Sequence, residues 1–220
     1  MPKIPALLCL ILATHLVAQD EESSGKSGIH LRAIAFSHFE NFATVDLRHQ
    51  ERTLTRLELP TGQLRARVSI SAREFSCGVA EGEAFRILGN VILPEKGRDF
   101  ILVFVPTKTG YRIFPVRADD PDFKGNDTLL FNFTPHLIGV MLGTAKQTIP
   151  SLKSALLSPG ISPGGTFYQA LFSYEKDGAF IPFNNTRWPV NSNTKTLVFV
   201  NQDTTTGKFA YRSVTELAGP

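Results

Sequence analysis

Two short runs dominated by consecutive apolar residues constrain the fold of this chain most. They read FILVFV at 100–105 and TLVFVN at 196–201. Successive side chains of a β-strand point to opposite faces, so a strand that is apolar on both faces needs cover on both. By contrast, LRARVSIS at 64–71 alternates apolar with polar residues, which indicates one buried and one exposed face. The two uniform runs therefore predict central strands, or strands at a seam between sheets.

The two runs also begin a phrase that the chain repeats. Residues 102–105 and 197–200 both read LVFV, and each run is followed by a threonine-rich turn containing Thr-Gly and then by a second strand-like segment. Strand, turn and strand predict a hairpin, with the glycine adopting a conformation that other residues resist. The separation of roughly 95 residues, near half the chain, favours an internal duplication. We expect the two LVFV runs to occupy equivalent inner strands.

The remaining sequence predicts an all-β fold of two sandwich-like antiparallel repeats, either as paired small domains or as one fused unit. Val, Ile, Phe and Thr gather in short runs that Gly, Pro, Asn and Asp interrupt. The segment PSLKSALL at 150–157 is the one short helix expected. The predicted divisions are a signal peptide (1–18), a flexible linker (19–28), β repeat 1 (29–118), a polar linker (119–126), β repeat 2 (127–217) and a tail (218–220).

The N-terminal segment has the layout of a secretory signal peptide. Lys3 precedes the apolar run IPALLCLILATHLVA, which ends at Ala18 before the polar QDEESSGKSG. The apolar part is shorter than the roughly 20 residues of a membrane span. We therefore predict a protein that is secreted or periplasmic and does not span the membrane after signal removal. Cys77 is then the single cysteine of the mature chain, and we expect it to be buried and unreactive rather than part of a disulfide framework.

The charge balance excludes one large class of partner. The chain carries 23 Lys and Arg against 20 Asp and Glu. Nucleic-acid binding needs a basic stripe or patch, but here the arginines are scattered and no basic run is present. We predict that nucleic acid is not a partner.

Candidate metal or catalytic residues are few. Four histidines follow the signal segment, namely His30, His38, His49 and His136, without the spacing of a metal motif on a helix. The stretch DDPDFKGND contains four carboxylates that are weak calcium candidates, although their order departs from the calcium-loop pattern; they are Asp119, Asp120, Asp122 and Asp127. The alternative interpretation is a solvated turn between repeats.

The aromatic residues of the second half offer a second kind of site. Trp188 is the only tryptophan, and Tyr168 and Tyr174 lie in the strand-like segment that precedes it. Exposed rings of this kind stack on sugars, whereas buried ones anchor a core. Both interpretations stay open, and the three residues are our ligand-contact candidates.

The second half also resembles a known group of proteins. GNDTLLFNFTPHLIGVMLG, followed by TRWPVNSNTKTLVFVNQDTTTGKFAYRSV, is similar to segments of an uncharacterised family of secreted bacterial two-repeat β proteins. In that family an LVFV-type strand and a YR-type strand end the first half, and an RWP segment precedes the second version. The resemblance covers most of residues 85–215. It implies the fold and export but no activity.

These observations predict an exported, non-enzymatic β-sandwich protein that binds or scaffolds at the bacterial cell envelope and uses no cofactor. Its partner would be an envelope protein or a polysaccharide. One alternative is a carbohydrate-binding module. The other is a hydrolase or metal-dependent enzyme whose residues converge only in the folded chain.

Overall fold

The computed structural model describes residues 28–203 and 206–218, which form sixteen strands and no helix. The strands of the first half, called half 1, are β1 (Ile29–Ala35), β2 (Thr44–His49), β3 (Arg52–Glu58), β4 (Val68–Ile70), β5 (Glu74–Glu81), β6 (Ala84–Ile92), β7 (Asp99–Pro106) and β8 (Tyr111–Arg117). The strands of half 2 are β9 (Thr128–Asn132), β10 (Ile138–Leu142), β11 (Ala145–Ile149), β12 (Ser154–Leu157), β13 (Phe167–Lys176), β14 (Ala179–Pro189), β15 (Thr194–Gln202) and β16 (Phe209–Leu217).

Each half is a sandwich of two four-stranded sheets. In half 1 the inner sheet has the order β4-β1-β7-β8 and the outer sheet the order β3-β2-β5-β6. In half 2 the inner sheet is β12-β9-β15-β16 and the outer sheet is β11-β10-β13-β14. Every strand of half 2 thus occupies the place of its counterpart in half 1. The predicted all-β fold of two sandwich-like units is confirmed.

The sheets are mostly antiparallel, but each inner sheet contains one parallel pair. β1 pairs with β7 in half 1, and β9 pairs with β15 in half 2. Each parallel pair joins the first strand of a half to its last-but-one strand. The first strand and the last-but-one strand of each half are therefore fixed beside one another in the middle of the inner sheet.

Three hydrophobic clusters hold the four sheets in a stack. The first fills the sandwich of half 1, and the third fills the sandwich of half 2. The second cluster, which we call the seam, lies between the two inner sheets and contains residues from both halves. Because each inner sheet has a sandwich core on one face and the seam on the other, its central strands are covered on both faces. This arrangement explains the uniform apolar runs.

The two LVFV runs lie in equivalent inner strands, as predicted, but they face opposite ways. In β7, Leu102 and Phe104 belong to the sandwich core of half 1. In β15, Leu197 and Phe199 belong to the seam. A slip of one residue along a strand moves every side chain to the other face. The alignment that matches the two LVFV runs residue by residue is therefore shifted by one residue from the alignment of equivalent positions in the two strands.

Backbone hydrogen bonds give the true correspondence. The N–H of Phe36 donates to Phe104 O at 2.9 Å, and the N–H of Phe133 donates to Val200 O at 2.9 Å. Phe104 is thus equivalent to Val200, and not to Phe199. Matching the two phrases letter by letter is wrong at the level of single residues.

Contacts across the seam are reciprocal. The equivalent residues Phe36 and Phe133 meet with ring centroids 5.5 Å apart. Phe114 of β8 packs on Phe133 at 4.8 Å, and Arg212 of β16 lies over Phe36 at 5.4 Å. Reciprocal contacts of this kind are typical of the interface in a two-fold symmetric dimer.

Two local predictions need correction. The segment expected to be a helix forms the edge strand β12, paired with β9. Ala155 and Leu157 pack against the core of half 2, while Ser154 and Leu156 are exposed. This period of two fits a strand, and the segment is too short to nucleate a helix without tertiary support. Within 64–71, only Val68–Ile70 is strand, and Ala66 is exposed.

The chain between the halves is packed rather than only solvated. β8 ends at Arg117 and β9 begins at Thr128. Between them Phe123 is 5% exposed and belongs to the seam. The predicted signal peptide and nearly all of the N-terminal linker lie outside the described residues, as do residues 219–220 of the tail. Across the described ranges, no helix is long and apolar enough to cross a membrane.

Candidate functional site

The histidines do not converge on a common centre. Each uses its ring for a different local contact: His30 Nδ1 with Ser69 Oγ at 3.1 Å, His38 Nε2 with Leu59 O at 2.7 Å, His49 Nδ1 with Glu74 O at 2.7 Å, and His136 edge-on against Tyr174 and Phe209. Within 28–203 and 206–218, no three His, Cys, Asp or Glu side chains are grouped so that they could hold a metal ion.

The linker carboxylates stabilise turns. Asp119 accepts hydrogen bonds from the N–H of Arg98 at 2.8 Å and from Arg117 Nε at 3.0 Å. Partial burial opposes its ionisation, but these two donors outweigh the burial and lower the pKa of Asp119. Asp120 accepts from the N–H of Asp122 at 3.0 Å.

Asp127, the fourth of these carboxylates, is bonded separately from the other three. It accepts from the N–H of Lys124 at 2.9 Å and from Ser158 Oγ at 2.6 Å. The side chains of Asp119, Asp120 and Asp127 thus accept from separate backbone N–H groups, and the described carboxylates are not grouped so that they could hold a metal ion.

The aromatic candidates fill the core of half 2. Tyr168 is 8% exposed, and burial raises its pKa. The half-buried Trp188 lies edge-on to Tyr168 at 6.3 Å and packs on Phe172 at 5.8 Å. Tyr174 stacks on Phe209 at 4.0 Å. The rings therefore contact one another between two sheets, and they do not form the exposed platform that stacking on a sugar requires.

Cys77 is buried in the sandwich of half 1, as expected. Desolvation raises the pKa of its thiol, which keeps the thiol protonated and unreactive.

The structure places a larger group of charged side chains together in a cavity at one end of the seam, and two of the predicted carboxylates, Asp119 and Asp120, also line this cavity. This seam cavity has a volume of about 540 Å³. Its lining includes charged side chains from both halves, among them Arg67, Asp99, Lys195 and Glu216. A second cleft of about 820 Å³ adjoins it and shares Arg67 and Glu216. Sites between two structural units are common positions for ligands.

A buried arginine links the two halves beside this cavity. Arg32 of β1 has a side chain 10% exposed, and its Nη2 donates to Glu216 Oε1 of β16. The same Nη2 lies 3.5 Å from Asp99 Oδ1, at the start of β7. Arg67 Nη2 contacts the other oxygen of Asp99 at 2.7 Å. One guanidinium thus stands between two carboxylates that come from different halves.

Lys195 brings a further charge to the cavity. Its side chain lies over the ring of Phe123 at 4.8 Å, and its Nζ donates to Ala118 O at 2.6 Å. Lys195 is directly opposite Glu216 in the β15–β16 pair. Opposite charges at such positions commonly interact. Here each of the two side chains instead reaches across the seam to half 1.

Several buried polar atoms in this network have unused hydrogen-bonding capacity. In the described chain, Glu216 Oε2, Asp99 Oδ1 and Arg32 Nε make no hydrogen bond. Each such buried atom costs about 1–3 kcal/mol unless a partner satisfies it. The Lys195 ammonium carries three N–H donors, of which one bonds Ala118 O. The cavity therefore has donor and acceptor groups for a ligand that both donates and accepts hydrogen bonds.

The sequence alone does not reveal this site, because its residues lie far apart along the chain. One signal was present: Arg32 and Lys195 each lie in a largely apolar strand segment that contains no other Lys, Arg, Asp or Glu, IHLRAIA and TKTLVFV. Charged residues are rarely buried unless they are paired. A lone charge in a strand apolar on both faces therefore indicates a paired position, although not its partner.

Comparison of the sequence with protein-family models and with curated proteins finds no match.

Proposed function

We propose that this chain is an exported, non-enzymatic β-sandwich protein with a binding role at the bacterial cell envelope. Export is supported by the signal-peptide layout of residues 1–18 and by the resemblance to secreted two-repeat β proteins. The binding role rests on the seam cavity, where the buried or half-buried Asp99, Lys195 and Glu216 and the exposed Arg67 meet beside polar atoms that make no hydrogen bond in the described chain.

The same geometry favours binding over hydrolysis. Two carboxylates in one cleft could in principle act as an acid and base pair on a glycosidic bond. Beside the seam cavity, however, Arg32 Nη2 contacts both Asp99 and Glu216. The guanidinium occupies the position between them that a scissile bond would need. Neither carboxylate is hydrogen-bonded to a histidine, serine or cysteine in the described residues, as a nucleophilic mechanism would require.

We also infer that the two halves arose by duplication of a β-sandwich of roughly 90 residues. The identical strand orders and the reciprocal Phe36–Phe133 contact support this inference. The LVFV match is weaker support for a duplication, because its identical residues do not occupy equivalent positions in the two strands.

Export is tested by producing the full chain in a Gram-negative host and measuring the intact mass of the product in the periplasm and the medium. We expect a mature protein that begins at Gln19. A product that keeps its first 18 residues and stays in the cytoplasm contradicts export.

The non-enzymatic role is tested with the purified mature chain on chromogenic esters, phosphate esters and glycosides. We expect no turnover above that of a matched Asp99→Asn variant. Turnover that disappears in Asp99→Asn would establish the hydrolase alternative instead.

A further inference from the structure

We propose that the seam cavity binds a small zwitterion, a molecule that carries an ammonium and a carboxylate a few bonds apart, such as a free amino acid. This inference rests on the binding role proposed above and names the chemical class of the ligand.

The ammonium would bind at the acidic side of the cavity. Glu216 has a side chain 10% exposed, its Oε1 is used by Arg32, and its Oε2 has no partner in the described chain. Asp99 Oδ1 is also without a hydrogen bond. A ligand ammonium has three donors and can bond both oxygens.

The carboxylate would bind at the basic side. Lys195 is directly opposite Glu216 on the neighbouring strand, and two of its three N–H donors remain after the bond to Ala118 O. Arg67 also lines the cavity, and its side chain is 54% exposed. Its guanidinium contacts Asp99 through Nη2, which leaves other N–H groups for a ligand carboxylate.

The charges of the cavity select against simpler ligands. A monovalent anion would satisfy Lys195 but leave Glu216 Oε2 unpaired, and an amine without a carboxylate would do the reverse. A bare metal ion lacks a cluster of suitable ligands in the described chain. The volume of about 540 Å³ accommodates an amino acid. Only a ligand that carries both charges pairs with both the acidic and the basic residues of the cavity.

The test is isothermal titration calorimetry of the mature chain with glycine, L-alanine and L-glutamine, and separately with acetate and ethylamine, which each carry one of the two charges. We expect binding of at least one zwitterion, and binding of acetate and ethylamine at least tenfold weaker. Equal binding of the singly charged probes would overturn the proposed ligand class. The absence of heat with all three zwitterions would overturn the site.

Variants locate the binding. Glu216→Gln keeps the size of the side chain and removes its charge, and Arg67→Gln changes an exposed residue with little risk to the fold. We expect each to weaken zwitterion binding at least tenfold. Arg56→Gln, which breaks an exposed ion pair with Asp46 on the outer sheet of half 1, is the matched control and should bind as the wild type does.

Three outcomes separate this proposal from the function on which it rests. Zwitterion binding that Arg67→Gln leaves unchanged overturns the site even if Glu216→Gln proves too unstable to measure. A chain that is exported and shows no turnover but gives no heat retains its proposed function and loses the zwitterion. A chain that stays unprocessed in the cytoplasm loses the envelope role whatever it binds.

Discussion

Replacing Phe199 with alanine tests the packing of the seam most sharply. Phe199 is 1% exposed, and its ring lies 5.9 Å from Phe36, 5.5 Å from Phe131 and 6.2 Å from Phe133. Truncating a buried phenylalanine costs about 3–5 kcal/mol, because transfer free energy is lost and a cavity remains. A chain with a typical stability of about 5–15 kcal/mol would lose a large part of it. We expect a loss in this range for Phe199→Ala.

The assay is urea unfolding followed by two signals. Fluorescence of Trp188 reports half 2, and far-UV circular dichroism reports both halves. Phe167→Ala is the control, because that ring is 53% exposed, and it should cost less than about 1 kcal/mol. A loss below about 1 kcal/mol for Phe199→Ala would contradict its placement in the seam.

A double-mutant cycle distinguishes the two orientations of the LVFV runs. Phe199 and Phe36 come from different halves and are in contact, so their substitutions to alanine should show a coupling free energy of about 0.5–3 kcal/mol. Phe199 and Phe104 face different cores, so their substitutions should add within about 0.5 kcal/mol. Coupling with Phe104 but not with Phe36 would restore the letter-by-letter match and refute the phase difference.

Three further outcomes are expected. Val103→Asp and Val198→Asp place a charge at fully buried positions and should each cost several kcal/mol in urea melts, whereas Lys108→Ala in the exposed turn should cost less than about 0.5 kcal/mol; harmless strand substitutions would contradict the inner position. Cys77 should not react with Ellman's reagent until the protein unfolds, and rapid labelling of the native protein would contradict its burial. Because the pKa of Asp119 is lowered on folding, its stabilisation is present above the ordinary aspartate pKa near 4 and is lost as pH falls through the folded value. Asp119→Asn should therefore lower the melting temperature near pH 7 more than near pH 3, and a constant difference would contradict that assignment.

The fold class could be predicted because its signals are local. Runs apolar on both faces require cover on both faces, and the two central strands have it. The prediction of a helix at 150–157 was wrong. The alternation typical of a strand covers only four residues there, too few to outweigh a composition that favours a helix. The parallel pairing of β1 with β7 could not be predicted, since it joins segments far apart in the chain.

The candidate site could not be predicted for a related reason. Histidines, aspartates and aromatic rings attract attention by residue type, yet in the structure they serve turns and cores. The seam cavity is lined by Arg67, Asp99, Lys195 and Glu216, with Arg32 beside it, and only the packing of one half on the other brings these residues together. The depth of burial of each charge depends on long-range contacts that no local pattern encodes.

Hydrogen exchange measured by mass spectrometry tests the central claim most directly, namely that two sandwiches pack through their inner sheets into one four-layer stack. Strands covered on both faces open only with global unfolding, while edge strands open locally. We predict that β7 and β15 exchange most slowly, and at matching rates, because they are inner strands that share the seam. We also predict that the edge strands β3 and β14 exchange first. Exchange of β7 or β15 as fast as that of β3 or β14 would contradict the account.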